Sequence, residues 1–64
     1  MQGTVKFFHD QKNYGFIESD EADDDVFFHT EDQEEGFGVE EGDEVEFETE
    51  EGDKGPKAVN MEIL

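Results

Sequence analysis

Apolar residues along this chain come in short clusters that alternate with polar residues, and this pattern predicts strands rather than helices. The period of two is clearest where Val45 and Phe47 alternate with glutamates, and where Val59, Met61 and Ile63 alternate with polar residues. Glycines and acidic residues between the clusters indicate turns. We predict five strands, at residues 2–8, 14–19, 26–29, 44–50 and 56–64. A long loop over residues 30–41 precedes the fourth strand.

Five short strands without helical periodicity predict an all-β fold, a five-stranded antiparallel barrel formed by one domain, 1–64. Barrel closure removes exposed strand edges, and Pro56 stands at the start of a strand, where its missing N–H is tolerated. With no Cys in the chain, no disulfide reinforces its small core. No apolar run is long enough to span a membrane, so we expect a cytoplasmic protein without a membrane partner.

Strand alternation sorts the side chains of the second and third strands onto two faces. The aliphatic residues Ile17 and Val26 mark the side that faces the core. The opposite side then carries four rings, which form a contiguous outer surface if the two strands pair: Tyr14, Phe16, Phe27 and His29.

Two further residues bear on this surface. Phe7 on the first strand can extend it, and Gly15 lets another backbone or side chain approach closely. An exposed aromatic patch usually marks an interaction site, and nucleic-acid bases stack on such rings for about 1–3 kcal/mol per base. Phe8, by contrast, is interpreted as a packing residue, and His9 as a surface residue without a partner.

Four segments, taken in order, resemble the cold-shock domain family. K-N-Y-G-F-I at 12–17 is similar to the family's first ribonucleoprotein motif, K-G-F-G-F-I, and V-F-F-H-T at 26–30 to its second, V-F-V-H-F. G-T-V-K-F-F at 3–8 and E-G-D-K-G-P-K-A at 51–58 resemble the family's G-x-V-K-W-F and E-G-x-R-G-P-x-A. Either short motif alone would be weak, but four at matching spacing cover nearly the whole chain.

The resemblance implies an OB-fold barrel that binds single-stranded DNA or RNA as a monomer, with little sequence preference beyond pyrimidine runs. It implies a role as an RNA chaperone or as a regulator of transcription or translation. The family's stacking positions fall on Phe7, Tyr14, Phe16, Phe27, His29 and Phe37, and its basic contacts fall on Lys6, Lys12 and Lys54. Phe37 can equally be a loop anchor, and Lys57 is left open between a phosphate contact and a solubilising residue.

Three departures from the family pattern fall within these motifs. Phe7 replaces a Trp and Thr30 replaces an aromatic residue, so we expect weaker affinity per site. Asn13 replaces a Gly, and Asn can adopt the same left-handed turn conformation.

The charge of the chain changes how this binding is expected to work. The chain has 21 acidic residues, 4 lysines and a net charge of −17, and residues 18–53 contain no lysine. Such a composition is typical of disordered chains, but seven Phe residues and strand patterning argue against disorder. In about 1 M salt the Debye length is about 3 Å, so exposed charges hardly interact. We therefore interpret the acids as the surface of a halophilic, haloarchaeal-like protein that loosens when salt is removed.

Other interpretations of the acids carry less support. The chain could be an acidic protein-interaction module or a nucleic-acid mimic, with residues 18–53 binding a basic partner. Asp23, Asp24 and Asp25 lack the Asp-x-Asp-x-Asp-Gly spacing of a calcium loop, so we predict no metal site. No carboxylate is paired with a nucleophile, and a chain this short has little room for a pocket, so we predict neither an enzyme nor a cofactor.

Overall fold

Five strands close into a barrel in the computed structural model, which describes residues 1–33, 38–52 and 55–64. The five predicted strands are confirmed, with ends that shift by a residue or two. No helix in these three ranges is long and apolar enough to cross a membrane. The strands are β1 (Gln2–His9), β2 (Tyr14–Glu18), β3 (Val26–His29), β4 (Glu44–Gly52) and β5 (Gly55–Ile63), and a short 3₁₀ helix, Thr30–Asp32, follows β3.

The order of strands around the barrel is β1-β2-β3-β5-β4, with β4 pairing back to β1. The predicted five-stranded barrel is confirmed, but one of its pairings, β3 with β5, is parallel rather than antiparallel. The reason is one of parity. Directions cannot alternate at every pair around a closed ring with an odd number of strands, so at least one neighbouring pair must run the same way.

The core lies inside the barrel and consists of aliphatic residues around two buried phenylalanines. Ile17 and Val26 are buried, as the alternation predicted. Phe8 packs against the core with its ring stacked on that of Phe28, at a centroid distance of 5.9 Å and an interplanar angle of 6°, so its predicted packing role is confirmed. The largest fully buried side chains are Phe28, Phe47, Ile17, Val5, Val26 and Val45.

A bulge interrupts β5. The register against β4 shifts from Glu46↔Glu62 to Glu48↔Val59, and Asn60 takes a φ of 53°. Asn tolerates this left-handed conformation, which is typical of a bulge residue. As a result Ala58 and Met61, three residues apart, both face the core, so the period of two predicted through Val59, Met61 and Ile63 fails between Val59 and Met61. Ile63 lies opposite the buried Val45 and is 49% exposed at the end of the strand.

The parallel seam is short, and one side chain bridges it. β3 and β5 share two partner positions, Phe27↔Lys57 and Phe28↔Ala58. Beyond them, the Gln33 amide Nε2 donates to the carbonyls of His29 (3.3 Å) and Ala58 (3.0 Å), and its Oε1 accepts the Met61 N–H at 2.9 Å. The Gln33 side chain thus takes the place of a further backbone pairing and ties the end of β3 to β5.

Gly15 lies where strands and core come closest, as its sequence position predicted. A Cβ at this position would collide with the Phe7 carbonyl oxygen and lie 2.7 Å from Cζ of Phe28. We expect Gly15→Ala to lower the free energy of unfolding by about 1–3 kcal/mol, because backbone and ring must both move. Gly38→Ala is the matched control, since a Cβ there meets nothing within 4 Å. Denaturant unfolding measures both, and equal losses in the two variants would contradict the proposed close contact.

Candidate nucleic-acid interface

The outer surface of β1, β2 and β3 carries two transverse rows of ring side chains, set by strand register. Phe7, Phe16 and Phe27 are partners across the three strands and form a row that we call the phenyl row. The neighbouring row, which we call the polar row, contains His9, Tyr14 and His29, again as partners across the strands. Together the two rows form what we call the ring face.

A bulge in β1 is needed to put Phe7 on this face. Val5 is buried, and simple alternation would turn Phe7 to the same inner side. The register against β2 shifts between Val5 and Phe7, which leaves Lys6 as the extra residue. Lys6 and Phe7 are both exposed as a result, whereas alternation resumes with Phe8 packed on the core.

Five of the six rings of the face, all except His29, contact one another in a continuous set. Phe16 lies edge-on to Phe27 at a centroid distance of 5.8 Å, and Tyr14 stacks on Phe27 at 5.9 Å. Phe7 joins them at 6.1 Å from Tyr14 and 6.4 Å from Phe16. Phe7 is 39% exposed and the other three rings are half-buried, so flat surface remains open to solvent. The predicted contiguity is confirmed for Tyr14, Phe16 and Phe27, and Phe7 extends their surface as predicted; the predicted contiguity of His29 with them is wrong, because its ring contacts none of theirs.

The two histidines of the polar row differ in their surroundings. His29 occupies its predicted position, but its Nδ1 accepts the Glu31 N–H at 3.1 Å and caps the 3₁₀ helix; it contacts no other ring in the described ranges. His9 stacks on Tyr14 at 5.6 Å and 13°, and meets Phe7 edge-on at 6.4 Å. The interpretation of His9 as a surface residue without a partner is therefore wrong. The sequence did contain a signal for this contact: His9 follows Phe7 by two residues, and residues two apart in a strand lie on the same face.

The turn between β1 and β2 is held by two backbone hydrogen bonds of Asn13, one within the turn and one to Thr30 after β3. Asn13 has a φ of 58°, the left-handed conformation expected for it. Its N–H donates to the His9 carbonyl at 2.8 Å, and its own carbonyl accepts the Thr30 N–H at 2.9 Å. The turn is therefore fastened to the end of β3, which fixes the polar row at that edge of the face.

Two lysines near the ring face, Lys6 and Lys57, already have acidic neighbours, and a third, Lys12, makes no ion pair within the described ranges. Lys6 Nζ lies 3.2 Å from Asp25 Oδ2, in an exposed pair. Lys57, the cross-strand partner of Phe27, lies 3.6 Å from Asp32 and 3.4 Å from Glu50. Lys12 is exposed in the β1–β2 turn, where its backbone N–H donates to His9 Nδ1 at 3.3 Å. Two predicted site residues, Phe37 and Lys54, lie outside the described ranges.

Comparison with known proteins identifies the family. The 'Cold-shock' DNA-binding domain matches residues 1–64, the whole chain. The chain belongs to this family. The cold-shock domain family is a nucleic-acid-binding family. The family predicted from the sequence motifs is therefore confirmed, and the ring face on β1–β3 is part of a cold-shock domain.

Relatives of this cold-shock domain are similar along nearly their whole length. The Cold shock proteins CspA of Staphylococcus saprophyticus and Staphylococcus epidermidis are each 52% identical over 62 residues, which cover 94% of this chain and 92% of theirs. CspA of Staphylococcus aureus is 50% identical over the same length. These relatives come from Staphylococcus and lend no support to a haloarchaeal type.

A solved structure supports the fold of this cold-shock domain. The drosophila Unr CSD456 structure superimposes with a TM-score of 0.79 at 25% sequence identity, over 98% of this chain. The match covers 26% of that chain, so the cold-shock domain described here spans about a quarter of its length. The barrel is thus the feature that the two proteins share.

Outside the ring face, we considered two other kinds of site on this cold-shock domain, a metal-ion site and a ligand cleft. Within the described ranges no three His, Cys, Asp or Glu side chains are grouped so that they could hold a metal ion. A cleft of about 290 Å³ is lined by residues that include Gly3, Glu18 and Leu64, and none of its lining residues belongs to the ring face.

The Lys57 ion pairs predict a specific dependence of stability on pH. The Asp32 carboxylate raises the pKa of Lys57 above its ordinary 10.5; partial burial opposes this, and Glu50 adds to the increase. Because the folded-state pKa is raised, the stabilisation is present in full below the unfolded pKa and is lost as pH rises through the folded one.

We expect the difference in unfolding free energy between wild type and Lys57→Gln to be constant from about pH 7 to 9.5 and to shrink above about pH 10.5. Denaturant unfolding across this range measures it. Lys12→Gln is the control, because that lysine makes no ion pair within the described ranges. A Lys57→Gln difference that stays constant up to about pH 11.5 would contradict the assignment.

Proposed function

We propose that this chain binds single-stranded DNA or RNA by stacking bases on the ring face, with low sequence specificity. The observation that carries the proposal is the unbroken set of outward rings across three strands. Each base stacked on such a ring contributes about 1–3 kcal/mol, and every base has a π-face, so the contact tolerates sequence variation. The proposed stacking residues are Phe7, Tyr14, Phe16, Phe27, His29 and Phe37, and the proposed phosphate contacts are Lys6, Lys12 and Lys54.

The proposal extends to how the protein acts. A face that stacks bases regardless of sequence competes with base pairing, because a base held on a ring cannot stack within a hairpin. We propose that the chain acts in this way as an RNA chaperone or as a regulator of transcription or translation, as a cytoplasmic monomer. The relatives named Cold shock protein CspA are consistent with such a role.

Adaptation to high salt is the second part of the proposal, and the distribution of charge supports it. Every described acidic residue except Asp43 is exposed, and within the described ranges only Asp25, Asp32 and Glu50 make ion pairs. Glu46 on β4 is the direct cross-strand partner of Glu62 on β5, an arrangement that destabilises the sheet when the charges are unscreened. Molar salt removes this repulsion and leaves stacking unaffected.

One observation favours the alternative function, an acidic interaction module or nucleic-acid mimic. Glu44, Glu46 and Glu48 alternate with buried residues along β4 and form a regular exposed row. Such a row would attract a basic partner at low ionic strength. Replacement of all three by Gln would abolish binding of that kind and leave binding of an oligothymidine intact, which separates the two functions.

Loss of two stacking rings tests the proposed binding. We expect Phe16→Ala/Phe27→Ala to weaken binding of an oligothymidine by about 30-fold or more in molar KCl, because two bases each lose about 1 kcal/mol or more. Anisotropy of a labelled oligothymidine measures affinity, and the fluorescence of Tyr14, the one Tyr in a chain without Trp, reports contact at the face. Ile63→Ala is the control, since it removes an exposed apolar side chain elsewhere. A double variant that is folded by circular dichroism and binds like wild type would refute the site.

Stability in a KCl titration tests the salt adaptation. We expect the chain to lose folded structure in about 10 mM KCl and to regain it in about 2 M KCl, where screening is nearly complete. Glu46→Lys should stabilise the fold at low salt more than Glu46→Gln does, because it replaces repulsion from Glu62 by attraction, and this gain should vanish at high salt. Equal wild-type stability at both concentrations would show that the acids are not an adaptation to salt.

A further inference from the structure

His9 is a ring-face residue that neither the sequence motifs nor the family resemblance assigns to binding. It is the last residue of β1, directly opposite Tyr14 on β2, and Tyr14 is in turn opposite His29 on β3. Its ring contacts both Tyr14 and Phe7, so it touches the polar row and the phenyl row together. His9 is therefore built into the face, whereas a solubilising histidine would extend into water.

The orientation of the His9 ring is fixed by backbone groups of the β1–β2 turn. Its Nδ1 accepts the backbone N–H of Lys12 at 3.3 Å, and the Asn13 N–H donates to the His9 carbonyl at 2.8 Å. Since Nδ1 is an acceptor, the proton of the neutral ring is on Nε2. Both the strand and the turn thus hold the ring in one position before any ligand arrives, which reduces the entropy that a base contact would cost.

We propose that His9 is a further base-stacking residue, which lengthens the binding site by one nucleotide at the β1–β2 turn. The plane of its ring lies 13° from that of Tyr14, so the two rings present nearly parallel surfaces to consecutive bases. His29, at the other end of the polar row, is held in a similar way, because its Nδ1 accepts the Glu31 N–H and caps the 3₁₀ helix. The proposal rests on the proposed function, because it assigns a nucleotide to a face whose binding is itself proposed.

The experiment measures affinity for oligothymidines of increasing length in molar KCl. It compares wild type, three His9 variants and one control variant. His9→Asn keeps an oxygen that can accept the Lys12 N–H but removes the ring; His9→Phe keeps a ring but removes the acceptor; His9→Ala removes both. Gln11→Ala, an exposed residue of the same turn, is the matched control. Circular dichroism in the same buffer establishes that each variant is folded.

For wild type, His9→Phe and Gln11→Ala, we expect affinity to rise with length to the same plateau. For His9→Asn and His9→Ala we expect the plateau one nucleotide earlier and affinity for the longest oligomers about 5-fold weaker, at the low end of the range for one stacked base. If His9→Phe binds as weakly as His9→Asn although both are folded, stacking is not the role of His9.

Two results would overturn the inference in distinguishable ways. If wild type binds and Phe16→Ala/Phe27→Ala does not, while His9→Asn keeps the wild-type plateau and affinity, the proposed function stands and the role of His9 is refuted. If wild type binds no oligothymidine of any length while it is folded, the proposed function fails, and the role of His9 fails with it.

Discussion

The contact between the Phe28 ring and the backbone of Gly15 is the constraint on which the barrel depends. Phe28 is fully buried and is one of the two largest side chains in the core, and its ring occupies the volume that a side chain at position 15 would need. The same missing side chain lets the Phe7 carbonyl approach, so β1, β2 and β3 meet at one point. Because Phe28 fills the interior there, no ring of the outer face is required inside, and Phe16 and Phe27 remain available at the surface.

Two bulges determine which apolar side chains are buried in the barrel and which are exposed on its surface. The bulge at Lys6 turns Phe7 outward, and the bulge at Asn60 turns Met61 inward. Both lie in long strands, in which an unbroken alternation would otherwise dictate one face from end to end. Local departures from the period of two therefore build both the ring face and the far wall of the core.

Much of this arrangement could be predicted from the sequence, and what could not has a physical cause. Short strands in which Ile17 and Val26 alternate with rings defined both faces of β2 and β3, and Gly15 showed where elements approach. The bulge at Lys6 could not be predicted, because it depends on how β1 meets β2 and both registers suit its residues. The Gln33 bridge joins groups from β3 and β5 that meet only after closure. The stacking of His9 on Tyr14 likewise needs the register, which no single segment contains.

The ion pairs of Lys6 and Lys57 have a consequence for the thermodynamics of any phosphate contact. A lysine that is unpaired beforehand neutralises a phosphate, and the small cations condensed on the strand then go into solution, so affinity falls steeply with ionic strength. Here Lys6 already faces Asp25, and Lys57 already faces Asp32 and Glu50. A phosphate that displaces one of these carboxylates leaves it to take up a cation in place of the one the strand gives up. Net counterion release is therefore smaller, and affinity depends less steeply on ionic strength at these two lysines than at an unpaired lysine.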